Sequence, residues 1–489
     1  MDDMLHQQVD LCVDNFRDQL HRCLDQVDLL SYGLVLLEFE KSLFGLLMSL
    51  GAALVAVFLE AVHRDQDWID HFQAQARTSG YCNRGWRSTP VYSFFGGCHK
   101  LRTPYAMCDR RGRPGRRRGT GRRGKDGSGS YPVLEALGCR ANATPALLSE
   151  VGSQLAWGPS EAAAQVRLQE RGIDLNHKTL RRFFKALSDE ALTKRTQALE
   201  QGQLPAGSVG ESLAGKRAVI CFDAGRVRSR KQHRGRRKKK GYHGFDGPWK
   251  APRLLVIYTI DEKGRKKRQE LPLYDGVLTC ATRLFELLKQ YLIALDASQA
   301  TLLVFIADGA PEHWDSVVKL VQALGLDTKR VVEVLDFAHA VEHLTKVLDA
   351  CGNLSKKVRK RWLDKQRKRL KKGQLSAVLA AIQDLCRGRR ATKIRKEIAY
   401  FEKHAHRMRY GHFQRAGIPI GSGAVESAIR RVVNLRMKGN GIFWYPDNVQ
   451  RMLFIRCQLL SGRWQAFIQD LLCGRPVTTQ THSALPLAA

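Results

Sequence analysis

From residue 217 onward the apolar residues of this chain run unbroken and then stop at an acid: "RAVICFDAG" delivers Asp223 and "TLLVFIADGA" delivers Asp308. Unbroken apolar runs of this length fit strands buried on both faces, and an acid that ends one lies at the edge of the sheet. "PRLLVIYTID" and "RQELPLYDG" read as two further strands, and "RVVEVLDFAH" as a fifth running into a helix. "ATRLFELLKQYLIAL" and "PEHWDSVVKLVQAL" repeat apolar positions at helical spacing, the second with Pro311 in its first turn. The resulting order, β-β-β-α-β-α-β, predicts an α/β core whose first and fourth strands lie side by side. Asp223 and Asp308 would then be neighbours.

Elsewhere the pattern changes several times. Residues 1–76 read as amphipathic helix, although "LFGLLMSLGAALVAVFL", residues 43–59, carries no charge. That run is borderline for a membrane span, and the flanking Lys41 and Glu60 favour a buried or dimer-forming helix. Residues 77–130 read as an irregular basic linker holding Cys82, Cys98 and Cys108; a zinc ribbon needs paired C-x-x-C arms, which this stretch lacks. Residues 131–210 read as helices with short turns, the last opening near Asn176 or His177 with Lys178, Arg181, Arg182 and Lys185 on one side. This fits a helix-turn-helix with its final helix in the major groove, and equally a plain bundle with a solvated basic face. The α/β core is expected over 211–345 and 412–473, with a basic helical insertion at 346–411 and a disordered tail at 474–489. In its second part "IPIGSGAVESAIRR" reads as a helix start, with Ser422 placed to cap it and Glu426 just inside.

Charge then suggests a partner. Lys plus Arg total 81 against 47 Asp plus Glu, a formal charge of +34 with a pI near 10.0. Such an excess points to a polyanion, most simply DNA, held through phosphate contacts and counterion release. It clusters at 110–125, 226–240 and 356–372. The first block reads as a flexible arm. The second begins just after Asp223 and would set Arg226, Arg228, Arg230 and Lys231 beside a carboxylate cluster, over bound phosphates. Twelve scattered cysteines and no secretory signal predict a reducing, cytoplasmic and nucleoid-associated protein without a membrane partner.

Three carboxylates from separate elements, Asp223, Asp308 and Glu426, suit a divalent-metal site, since Mg²⁺ (or Mn²⁺) prefers hard oxygen ligands and leaves positions for water and phosphate. Two such ions about 4 Å apart activate a nucleophile and stabilise a leaving oxygen. The same acids also fit three ordinary strand ends and helix caps.

The strand order fits a ribonuclease H-like fold, and the motifs resemble a family. The strand ending at Asp223, "ADGA" at Asp308, "DFAHAVEHL" from Asp336 and "GIPIGSGAVESAIRRVVNLRMKGNGIFW" from Gly417 resemble bacterial insertion-sequence transposases of the DDE type, ISKra-type and allied to Mutator-like elements. The resemblance covers roughly 217–465, and more loosely the amino-terminal half, and implies an Asp223, Asp308, Glu426 triad with a helical insertion before the glutamate. It also implies a D-x-x-H signature at Asp336 and His339, with Asp336 behind the metal ligands and His339 orienting the scissile phosphate or a carboxylate. Near Cys108 the chain departs from the family, which tends to carry paired cysteines there. The implied reaction is Mg²⁺-dependent cleavage at a transposon end, then attack of the freed 3′-hydroxyl on target DNA, within a homo-oligomeric synapse. Arg436 and Lys438 would touch phosphate; Trp444 would stack on an unpaired base, or else pack in the core.

Two rivals remain. "HAVEH" matches an inverted zinc-peptidase pattern, with His339 and His343 as ligands and Glu342 as base. A catalytically inactive DNA-binding relic of a transposase is the other. Asp275 is expected to be dispensable, and so to serve as a neutral control.

Overall fold

The computed structural model describes residues 2–27, 34–108, 129–202, 210–230, 247–352 and 354–473. Lys231, the basic block at 110–125, most of that at 226–240 and the expected tail at 474–489 lie outside the described residues. The chain divides into two compact units: the residues up to Ala191 together with those from Ile468, and Leu192–Phe467. The division falls inside one helix, His177–Glu200.

In the first unit helices Asp2–Asp25 and Val35–Val62 pack together, and Gln66–Thr78 follows. The stretch expected to be an irregular linker is instead an antiparallel hairpin, β1 (Tyr81–Tyr92) and β2 (Cys98–Cys108), with β3 (Gly129–Ser130) beside β2. Its exposed positions include Asn83, Arg84, Arg87, Ser88, Lys100 and Arg102, while the buried Thr89 and Thr103 put polar residues on the inner face, which hides the strand alternation. Val91 and Leu101 supply its apolar anchor, in a small core with Leu59, Leu134 and Cys139. The register sets Cys82 and Cys98 at opposite ends of the hairpin. Its turn needs a glycine: Gly96 sits at φ 83°, and a Cβ there would fall 2.1 Å from the Gly172 carbonyl oxygen.

Helices Pro132–Ala136, Pro145–Trp157, Glu161–Gln169 and His177–Glu200 complete this unit's helical part. The last begins where the Asn176 side chain accepts the Thr179 amide at 2.9 Å. The charge-free stretch is not buried as a whole. Phe44, Leu47 and Phe58 are exposed, and along the whole helix Val35–Val62 the buried residues are Leu59 and Ala61. By length and composition Val35–Val62 is apolar enough to cross a membrane.

The second unit holds a mixed sheet. Its strands are β4 (Arg217–Ala224), β7 (Arg253–Ile260), β8 (Leu273–Val277), β9 (Leu302–Ala307) and β10 (Val331–Leu335), while β5 (Val227–Arg228) and β6 (Trp249–Lys250) form a separate ribbon. The order is β10-β9-β4-β7-β8. β4 runs parallel to β9 and β9 to β10; β7 is antiparallel to both β4 and β8. Ala218 to Phe222 and Leu303 to Ala307 are buried on both faces, as their unbroken apolar sequence requires.

Helices Ala281–Ala294 and Pro311–Ala323 accompany the sheet, and Phe337–Ala350 leaves β10. The insertion is helical as expected, with Lys356–Lys371, Leu375–Gln383 and Ala391–Lys403. The chain then returns through Gly423–Ala428, which packs on β4 and β7, and a π-helical turn, Ile429–Asn434.

Candidate active site

Parallel pairing of β4 with β9 matches Cys221 to Ile306, so both strands end at one edge with Asp223 and Asp308. The two carboxylates feel each other there. Burial, reinforced by the Asp308 charge, raises the Asp223 pKa above the ordinary carboxylate value, although its Oδ1 accepts the Ala224 amide at 2.6 Å.

Burial pushes Asp308 upward too, but its donors prevail and hold it below the ordinary value. His313 Nδ1 donates to Asp308 Oδ1 at 2.9 Å and the Ala310 amide donates at 3.0 Å. Trp314 Nε1 donates to the Asp308 carbonyl at 2.8 Å and fixes the main chain. The His313 tautomer follows from its other neighbour. Arg253, at the start of β7, approaches Nε2 at 3.3 Å and carries only donors, so Nε2 accepts and Nδ1 holds the proton. Sequence reasoning missed both His313 and Arg253; the contact joins residues on different elements, and only the fold brings them together.

Asp336 explains the D-x-x-H pattern physically. It caps the helix Phe337–Ala350, accepting the His339 amide at 3.0 Å and His339 Nδ1 at 2.9 Å through one oxygen. Its other oxygen accepts the Ser422 amide at 2.7 Å, and Phe337 N–H donates to the Ile420 carbonyl at 2.9 Å. The end of β10 is thereby tied to the segment that launches the Glu426 helix. The Asp336 hydrogen bond raises the His339 pKa to about 9, against the opposing effect of burial. His339 is therefore a fixed imidazolium at neutral pH, close enough to Asp223 and Asp308 to lower both.

Glu426 stands apart. It is exposed, and its near contact is the Ser422 hydroxyl, 3.4 Å from Oε1. Among the described residues no three carboxylate, imidazole or thiol groups form a metal-holding cluster, so the expected triad is gathered only as far as its two aspartates. The backbone nonetheless brings the glutamate's helix to the right strand. Ile429 and Val433 lie so near Gly225 that a Cβ there would come within 3.3 Å and 3.2 Å of them. The π-helical turn carrying both begins three residues after Glu426, and such turns concentrate at functional sites.

The expected DNA contacts divide. Lys178, Arg181, Arg182 and Lys185 all lie on the exposed side of their helix. Arg181 is paired with Glu161 at 2.9 Å and Lys185 with Asp189, while Arg182 lies over the Phe183 ring. Arg226 and Arg228 are exposed, and Arg228 lies 5.0 Å from the Trp249 ring centre. The Arg230 amide donates to the Trp444 carbonyl at 2.7 Å, pinning the start of the basic segment to the end of "GNGIFW". Lys438 is exposed.

Arg436 corrects the expectation of a phosphate contact. It is 8% exposed, with its guanidinium 5.1 Å from the Trp444 ring centre. Trp444 in turn is half-buried and donates to the Met437 carbonyl at 3.1 Å, which favours its packing role.

The peptidase pattern loses its geometry. His343 Nε2 faces the Lys346 ammonium at 3.2 Å, and among the described residues no group of three His, Cys, Asp or Glu side chains is placed to hold an ion. Asp275 is likewise no neutral surface acid. It is fully buried, accepting from Arg195 at 2.9 Å and from the Tyr291 hydroxyl at 2.9 Å. No protein-family model matches this chain, and no curated protein is significantly similar to it.

Proposed function

We propose that the chain is a DDE-type transposase: a metal-dependent DNA strand transferase of an insertion sequence, with a ribonuclease H-like core interrupted by a helical insertion. The observation that carries this reading is the parallel β4–β9 pair, which delivers Asp223 and Asp308 to one sheet edge. The strand order, 3-2-1-4-5 in order of appearance within the core with the second strand antiparallel, also supports it. So does the formal charge of +34.

The donor set fits Mg²⁺ or Mn²⁺ in part. The Asp308 charge still raises the Asp223 pKa against the lowering effect of His339 and His313, a repulsion that a divalent cation would neutralise, and Glu426 is on the adjoining helix but not gathered in. Asp223 and Asp308 would hold the ion, whose chemistry when bound is to polarise a phosphoryl oxygen and acidify water. His313, locked by Arg253, keeps Asp308 ionised and oriented. The His339 imidazolium offers positive charge to a phosphate at this edge. The exposed cations of the helix-turn-helix-like segment and of the Arg226–Arg230 strand would carry non-specific phosphate contacts. Action on DNA in a cytoplasmic nucleoid, by a homo-oligomer holding two ends, belongs to the same proposal.

A second reading, the inactive DNA-binding relic, draws on the separation of Glu426 from the aspartates. Nicking of duplex DNA that flanks the gene distinguishes them. The transposase reading expects Mg²⁺-dependent nicking by wild type that Asp223→Asn abolishes while DNA binding persists. Binding without nicking in Mg²⁺ or Mn²⁺ supports the relic.

A further inference from the structure

Helix Ala391–Lys403, part of the basic insertion, sends one side chain to the carboxylate edge. Tyr400 lies flat on the His343 imidazole, ring centres 3.5 Å apart and planes 8° apart. The support is itself fastened. His343 Nδ1 donates to Glu397 Oε2 at 2.6 Å, and Lys346 donates to Nε2 at 3.2 Å. Burial lowers the His343 pKa, so the stack is phenol on neutral imidazole.

The phenol end is pressed over the residue after Asp308. A Cβ on Gly309 would fall 2.3 Å from the Tyr400 oxygen, so only glycine leaves room for it. That oxygen is buried and has no hydrogen-bond partner among the described residues. A buried hydroxyl without a partner costs about 1–3 kcal/mol. Unsatisfied buried groups of this kind require an explanation, and a missing ligand is one. Burial also raises the Tyr400 pKa, so the hydroxyl stays a donor across the physiological range.

We infer that the Tyr400 hydroxyl is a substrate-binding group, donating to a non-bridging phosphate oxygen of the DNA strand held at the Asp223–Asp308 edge. This rests on the transposase reading and extends it: the insertion supplies a neutral phosphate donor to the site as well as bulk positive charge. A neutral donor contributes to binding with little dependence on salt, unlike the lysines and arginines around it.

Tyr400→Phe removes only the oxygen and tests the inference by three readouts. The melting temperature is expected to hold or rise, because an unsatisfied group is lost. The kcat/KM for nicking is expected to fall about tenfold, the worth of one hydrogen bond to a charged oxygen. The Kd for the same duplex in Ca²⁺, read by fluorescence anisotropy, is expected to rise several-fold, with an unchanged slope against salt. A lower melting temperature would mean the hydroxyl is already satisfied inside the protein, and would overturn the inference. Unchanged kcat/KM and Kd would overturn it as well. If wild type never nicks, the enzymatic reading fails, while the Ca²⁺ Kd comparison still decides the role of Tyr400.

Discussion

His313 donates to Asp308 across 2.9 Å, and the Arg253 guanidinium behind it dictates which imidazole nitrogen carries the proton. His313→Phe keeps the ring volume and removes the donor. The Asp308 pKa then rises, and the acid limb of the nicking pH profile moves to higher pH. Loss of such a supporting hydrogen bond costs roughly 10–100-fold in activity. His313→Asn, which keeps a donor near the Nδ1 position, should retain more of both properties. An acid limb that stays put in His313→Phe would remove His313 from the site.

The Asp336–His339 pair makes a signed pH prediction. The His339 pKa is raised from 6.5 to about 9, so its contribution to stability is full below 6.5 and is lost as pH rises through about 9. Asp336 is lowered from 3.8, so its contribution is present above that value and is lost as pH falls through the lowered one. Asp336→Asn should therefore cost about 2 kcal/mol near neutrality, with the deficit shrinking as pH approaches 9. Histidine NMR titration gives the sharper check: the His339 midpoint should drop toward 6.5 in the variant. A midpoint still near 9 would show that another group raises it.

Asp275→Ala would strand the Arg195 guanidinium, whose side chain is 11% exposed, beside a vacated buried site. Breaking such a pair costs about 3–5 kcal/mol, read as a lower urea midpoint. The variant is thus a stability mutant, unusable as a neutral control. Asp384, exposed on the insertion, suits that purpose, and Asp384→Ala should shift stability by no more than about 0.5 kcal/mol.

Gly309 and Tyr400 should behave as a coupled pair. Gly309→Ala drives its Cβ into the phenol ring, and Tyr400→Ala makes room for it. A double-mutant cycle on unfolding free energy should show the double variant more stable than the sum of the singles, by an interaction of about 0.5–3 kcal/mol. Strict additivity would contradict the close approach.

The Asp223–Asp308 edge is legible in the sequence because strands buried on both faces read as unbroken apolar runs, and both runs end in acid. Asp336 and His339 are legible as a spacing, since a cap acts over three residues. The hairpin at Tyr81–Cys108 is not, because its buried positions hold Thr89 and Thr103 as well as Val91 and Leu101, so the apolar alternation is weak. His313, Arg253 and Tyr400 escape for another reason: each meets its partner through the tertiary fold. The π-helical turn after Glu426 has no compositional signal at all.

Glu426 is the residue on which the account turns, because the fold brings its helix to β4 yet leaves its carboxylate outside the aspartate pair. The most direct measurement compares Mg²⁺-dependent nicking of duplex DNA flanking the gene by wild type and Glu426→Gln, with binding to the same duplex measured alongside. The account predicts nicking by wild type, a loss of at least about a thousandfold in the variant (more than 4 kcal/mol of transition-state stabilisation), and equal binding. Equal nicking by both proteins would contradict a role for Glu426 in the chemistry, and binding without nicking by wild type would contradict the transposase itself.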